Sequence, residues 1–140
     1  MLPVQIRCYH ANAFISPYVF FILSKGDNAG KPAFQPWANC FMAVCSNQQT
    51  LEFYFWLCYG LFKNGKFKIY HHGTAIQFIN IADVQTLISS ATPLLLQHWQ
   101  QYQNIIQSLA KLEKQKATFI HQIIATEKLQ QTLIQQYFNK

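Results

Sequence analysis

A chain of 140 residues is long enough for one domain with a real hydrophobic core. Hydrophobic residues make up 51% of it, aromatic ones 16% and charged ones only 11%, a balance that excludes intrinsic disorder. The net charge of +6 admits an anionic partner such as nucleic acid without requiring one, since solvated surface lysines give the same figure.

No apolar run approaches the roughly 18 residues that a membrane span needs. The opening MLPVQIRCYHANAF lacks a basic start, an apolar stretch and a small-residue cleavage site, so a cytoplasmic protein with reduced cysteines is expected. Val4 to Tyr9 alternates apolar and polar side chains and predicts a short strand. Ser16-Pro17 has N-cap and first-turn chemistry, which predicts a short apolar helix over Tyr18 to Ser24. Lys25 to Trp37, with two glycines and two prolines, reads as a long loop. Asn39 to Cys45 is an apolar run of strand length and belongs in the middle of a sheet. Ser46 and Gln49 have capping-box spacing, predicting a helix over Gln48 to Tyr59 that Gly60 closes. Lys63-Asn64-Gly65-Lys66 is a hairpin turn signal; Phe67 to Tyr70 and Ala75 to Ile79 read as strands joined through His71-His72-Gly73. Asn80 predicts the cap of a short helix, Ile81 to Thr86, before an extended piece and Pro93.

The stretch from His98 to Lys140 has neither proline nor glycine and is rich in Gln, Lys, Leu and Ile. Tyr102, Ile105, Leu109, Leu112, Phe119, Ile123, Leu133 and Tyr137 recur at alternating steps of three and four, interrupted by Lys116, Thr126 and Gln130. Ile106, Ile120, Ile124 and Ile134 widen the stripe. A helix of about 40 residues is roughly 60 Å long. The residues before it make a globule only about 30 Å across. Such a helix cannot bury its stripe on that head alone, so a partner helix is expected, most simply from a second copy as a short antiparallel pair or four-helix contact. The expected fold is thus an α/β (α+β) head with a small mixed sheet over residues 1–92. A helical tail over residues 93–140 would then dimerise the protein.

Most chemical constellations fail. GDNAGKP at Gly26 to Pro32 is one residue short of a phosphate-binding loop between its glycines, and Pro32 stands where a Ser or Thr would hold magnesium. Among Cys8, His10, Cys40, Cys45, Cys58, His71 and His72 there is no C-x2-C pair, and Cys40 and Cys45 fall on opposite faces of a strand. No metal, no cofactor and no disulfide are expected. The acidic residues Asp27, Glu52, Asp83, Glu113 and Glu127 share no local motif, and no nucleophile motif occurs, so a non-enzymatic protein is expected. For DNA, the donors are Lys25, Asn28, Lys31 and Gln35 on the long loop, with Trp37 beside them. The hairpin adds Lys63, Asn64, Lys66 and Lys68, with His71, His72 and Thr74 alongside. The plain alternative is a solvated hairpin tip, where lysines discourage edge pairing, and a Trp37 that lids the core.

From Tyr59 onward a further order of motifs appears. Gly73-Thr74 is followed by Phe78-Ile79-Asn80, then Asp83-Val84 with Leu87-Ile88, then Pro93-Leu94 with Gln97, then the long helix. This resembles the target recognition domain and spacer helix of type I restriction–modification DNA specificity subunits, over about the last 80 residues. A full specificity subunit has two such domains and two spacer helices; this chain has one of each. The resemblance therefore implies half a specificity subunit in architecture, with duplex DNA and a methyltransferase-type protein as partners. The front half is similar to small uncharacterised proteins of Bacteroidetes mobile elements. The alternative function is a protein–protein adaptor that dimerises through its tail.

Overall fold

Six apolar residues in succession, Cys40 to Cys45, form the strand on which the sheet is built. The structure, a computed structural model, describes residues 4–139. Its elements in chain order are β1 (Val4–Cys8), β2 (Val19–Leu23), β3 (Pro32–Ala33), β4 (Cys40–Cys45), α1 (Gln48–Lys63), a 3-10 turn (Lys68–Tyr70) and α2 (Ile81–Phe138). The strand β4 pairs with β1, Val4 opposite Cys45 and Cys8 opposite Phe41, and with β2, Val19 opposite Val44 and Leu23 opposite Cys40. β3 extends the other side of β2, so the order is β1-β4-β2-β3. All these pairings are antiparallel, where a mixed sheet was expected. Parallel neighbours need a long crossover, usually a helix, and here only loops and turns join the strands. With the long C-terminal helix, the fold is α+β, as the sequence predicts.

Alternation along β4 divides its side chains between two faces. Cys40 and Met42 gather with Phe21 on one face, with Tyr9, Val19, Trp37 and Val44 packed against them. Trp37 is thus a lid on the core, and its carbonyl accepts a hydrogen bond from the Cys40 thiol at 3.2 Å. By the same alternation Phe41, Ala43 and Cys45 take the opposite face, where Phe20 of β2 meets Phe55 of α1 edge to face, 5.7 Å between centroids.

Five stretches differ from the sequence expectation. Val19–Leu23 is a strand and not a helix: its β-branched and aromatic side chains gain a full ladder beside β4, which outweighs the local Ser-Pro signal. Asn47 and not Ser46 caps α1, accepting from the Thr50 N–H at 2.8 Å. The helix continues through Gly60 to Lys63; Asn64 is its C-cap and Gly65 takes the left-handed turn at φ +71°. Asn-Gly here ends a helix instead of joining two strands. Phe67–Tyr70 accordingly contributes a 3-10 turn, and Ala75–Ile79 makes only the isolated bridges of Phe78 to Lys25 and His72. Finally, the helix begun at Ile81 does not stop at Thr86 but runs to Phe138 with Pro93 inside it. Proline there removes one backbone donor, a local loss that the buried Val84 and Ile88 on the helix's first turns offset.

The chain divides into two compact units, one ending at His98 and one beginning at Trp99. Among the described residues, no helix is long and apolar enough to cross a membrane.

Burial sets the chemistry of the thiols. Cys58 is wholly enclosed and burial pushes its pKa far up; burial carries that of Cys45 to about 12, and Cys40 is raised by the same cause. Cys8 is exposed. In the folded protein a thiol-specific reagent at neutral pH is therefore expected to label Cys8 rapidly and the other three only on unfolding. Two or more fast-reacting thiols in an intact protein, located by peptide mapping, would contradict this core.

Candidate nucleic-acid interface

Two lysine-bearing stretches lie about forty residues apart in sequence, and the fold brings them together. The first turns on two glycines with left-handed backbone, Gly26 at φ +94° and Gly30 at φ +104°. Gly30 N–H donates to the Leu23 carbonyl at 2.7 Å and so returns the chain to the sheet edge. The second stretch leaves α1 at Gly65 and immediately buries Phe67, which is 0% exposed. Phe67 lies directly against Gly30: any Cβ at Gly30 would overlap the Phe67 ring. The contact seats Lys66 and Lys68 beside the loop that carries Lys25, Asn28 and Lys31.

Backbone hydrogen bonds fasten the two stretches further. Gly26 N–H donates to the Gln77 carbonyl at 2.7 Å and Ile79 N–H to the Ser24 carbonyl at 3.0 Å. His72 and Phe78 exchange two bonds, 2.8 and 2.9 Å, which close a small loop over Gly73 and Thr74. The His71 ring bridges the stretches, with Nε2 2.9 Å from the Ala29 carbonyl and Nδ1 2.7 Å from Gln77 Oε1. A carbonyl only accepts, so Nε2 carries a proton. His72 Nε2 stands 3.3 Å from Asp83 Oδ2 on the first turn of α2.

The predicted DNA residues therefore separate into two sets. Lys25, Asn28, Lys31, Lys66, Lys68, His71, His72 and Thr74 belong to the joined stretches. Lys63 lies in the last turn of α1, its ammonium 5.6 Å from the Tyr59 ring centroid, and Asn64 caps that helix. Neither sits on a β-hairpin, because none forms there. Gln35 follows Phe34, whose ring stacks on Phe55 of α1 at 4.1 Å. Sequence reasoning missed Gln77 and Asp27, which with Lys68 and His71 line an open hollow of about 430 Å³. Asp27 lowers the local positive potential there. Among the described residues, no group of three or more His, Cys, Asp or Glu is placed to hold a metal ion.

The helical tail forms a second candidate surface. Ile105, Leu112, Phe119, Ile123, Leu133 and Tyr137 are all exposed, from 49% at Ile105 to 78% at Tyr137. Tyr102 and Leu109 are half-buried, and the Tyr102 ring stacks with Trp99 at 6.0 Å. Phe119, Gln122, Ile123, Thr126 and Glu127 line a shallow groove on this helix.

Residues 6–136 match a family described as a family of unknown function (DUF6943). No curated protein and no solved structure matches the chain.

Gly30 tests how the two stretches are held. In Gly30→Ala, backbone strain and overlap with Phe67 act together, and a loss of about 1–3 kcal/mol is expected, lowering the melting temperature by roughly 5–15 °C. Gly26→Ala meets open space, so strain alone remains and the shift is smaller. Melting curves that rank the two variants the other way would contradict the packing.

Proposed function

The chain belongs to the DUF6943 family, a family of unknown function, and from the geometry above we propose a non-enzymatic, self-associating module whose head binds duplex DNA. The observation that carries this reading is the meeting of the two lysine-bearing stretches across the Gly30–Phe67 contact. Lys25, Lys66 and Lys68 are exposed there and Lys31 is half-buried. Several cations on one braced scaffold are what a phosphate backbone recruits, since each neutralised phosphate releases counterions and adds to affinity. Asn28, His71, His72 and Thr74 supply amide, imidazole and hydroxyl groups suited to base edges. The resemblance of the last 80 or so residues to type I target recognition domains supports the same reading. It extends the proposal to a methyltransferase-type partner. The non-enzymatic part rests on the scattered carboxylates and on the missing nucleophile motif.

A second reading, a protein–protein adaptor without nucleic acid, draws on the exposed apolar face of the tail, which both readings use.

Fluorescence anisotropy with labelled duplexes over a salt series separates them. The parent is expected to bind with a steep salt dependence. Changing Lys31, Lys66 and Lys68 to Gln should flatten the slope of log affinity against log salt by roughly 2–3 units, at about 0.9 per phosphate contact. It should also weaken all sequences about equally. A triple variant with the parent's slope would move DNA off this face. No binding to any duplex at about 50 mM salt would remove the DNA reading and leave the adaptor.

A further inference from the structure

We infer that the tail of α2 pairs antiparallel with the tail of a second copy, in the register that sets Leu109 opposite Leu133 and Phe119 opposite Ile123. The inference rests on the self-association proposed above and adds direction and register to it.

The stripe keeps one heptad frame from Tyr102 to Tyr137 without a stutter. Tyr102, Leu109, Lys116, Ile123, Gln130 and Tyr137 occupy the a positions; Ile105, Leu112, Phe119, Thr126 and Leu133 occupy the d positions. The helix is continuous through all of them, and most of the apolar members are exposed. Lys116 is the one seam position that carries charge, and it decides the arrangement.

In a parallel pair in register, every layer meets its own copy. Lys116 would then face Lys116 inside an apolar seam, two like charges with their hydration removed. Residues 111–116, with three lysines and Glu113, would also lie against the same net positive segment. Slipping the parallel pair by one heptad sets Lys116 against Leu109 or Ile123 instead.

In an antiparallel pair, a positions meet d positions. Centred on His121, the layers become Ile105 with Tyr137, Leu109 with Leu133, Leu112 with Gln130, Lys116 with Thr126, and Phe119 with Ile123. The seam cation now meets a hydroxyl, with the Glu127 carboxylate of the second copy at the neighbouring position. Opposite charge replaces like charge. Moving the antiparallel pair by one heptad in either direction sets Lys116 against Phe119 or Leu133, so the pattern selects this register. The flanking e positions agree in part: Ile120 meets Ile120 and Ile106 meets Ile134. Glu113 does face Glu127, at the solvent edge where Lys114 and Lys128 stand next to them and water screens the pair.

Disulfide trapping in a Cys8→Ser background tests this, because Cys8 is the exposed native thiol. Leu109→Cys and Leu133→Cys are made separately, exchanged by mixing, and oxidised mildly. The mixture is expected to give a cross-linked dimer at least tenfold above either variant alone, with the 109–133 linkage identified by mass spectrometry. Ile120→Cys, at an exposed position that leaves the seam intact, should cross-link with itself. Self-cross-linking of Leu109→Cys or Leu133→Cys alone means a parallel pair and overturns the inference. So does a native dimer in which neither the mixture nor Ile120→Cys cross-links. Native mass spectrometry giving only a 16.3 kDa species would instead show that self-association itself fails and that the tail serves a different partner.

Discussion

An α-helix satisfies its own backbone hydrogen bonds but cannot cover its own side chains. Much of this protein follows from that constraint acting on one element. The first turns of α2 bury Val84 and Ile88 completely, and the Thr92 hydroxyl donates back to the Ile88 carbonyl at 2.6 Å. From Ile105 on, the same helix presents apolar residues that are half to four-fifths exposed. Nothing in the composition explains such a face as a solvent surface, since a polar, charged exterior is the ordinary way to keep a helix in water. The pairing proposed above would cover this face.

The head shows the opposite economy. β4 is paired on both edges and packed on both faces, so its six residues satisfy backbone and side chains together. That leaves the segments after β2 and after α1 to be held by detail: two left-handed glycines, one buried phenylalanine and a histidine bridging to a carbonyl. These loops are where polar and charged side chains collect, and their bracing makes a set of scattered lysines into a surface.

Periodicity made the ends of the fold legible. The alternation of Val4 to Cys8, the unbroken apolar run of β4 and the heptads of the tail each carry their own evidence over many residues. What was not legible depended on distant partners. Val19–Leu23 has a local signal for a helix, but its ladder with β4 is invisible in its own sequence. Asn64-Gly65 serves equally well as a hairpin turn or a helix stop, and only the continuation of α1 through Gly60 decides between them. Pro93 suggested an interruption that the packing of α2 overrides. The candidate site was legible as residue types and not as a place. Phe67 packs against Gly30, and Lys68 meets Asp27, His71 and Gln77 around one hollow only because the loops close.

If the exposed face of the tail is an assembly surface, the molecule in solution is not the single chain. Sedimentation equilibrium over a wide concentration range measures this directly. The account predicts a molar mass of at least twice 16.3 kDa at the upper end, lost when Ile123 and Leu133 are replaced by Asp. A mass of 16.3 kDa at every concentration would contradict it.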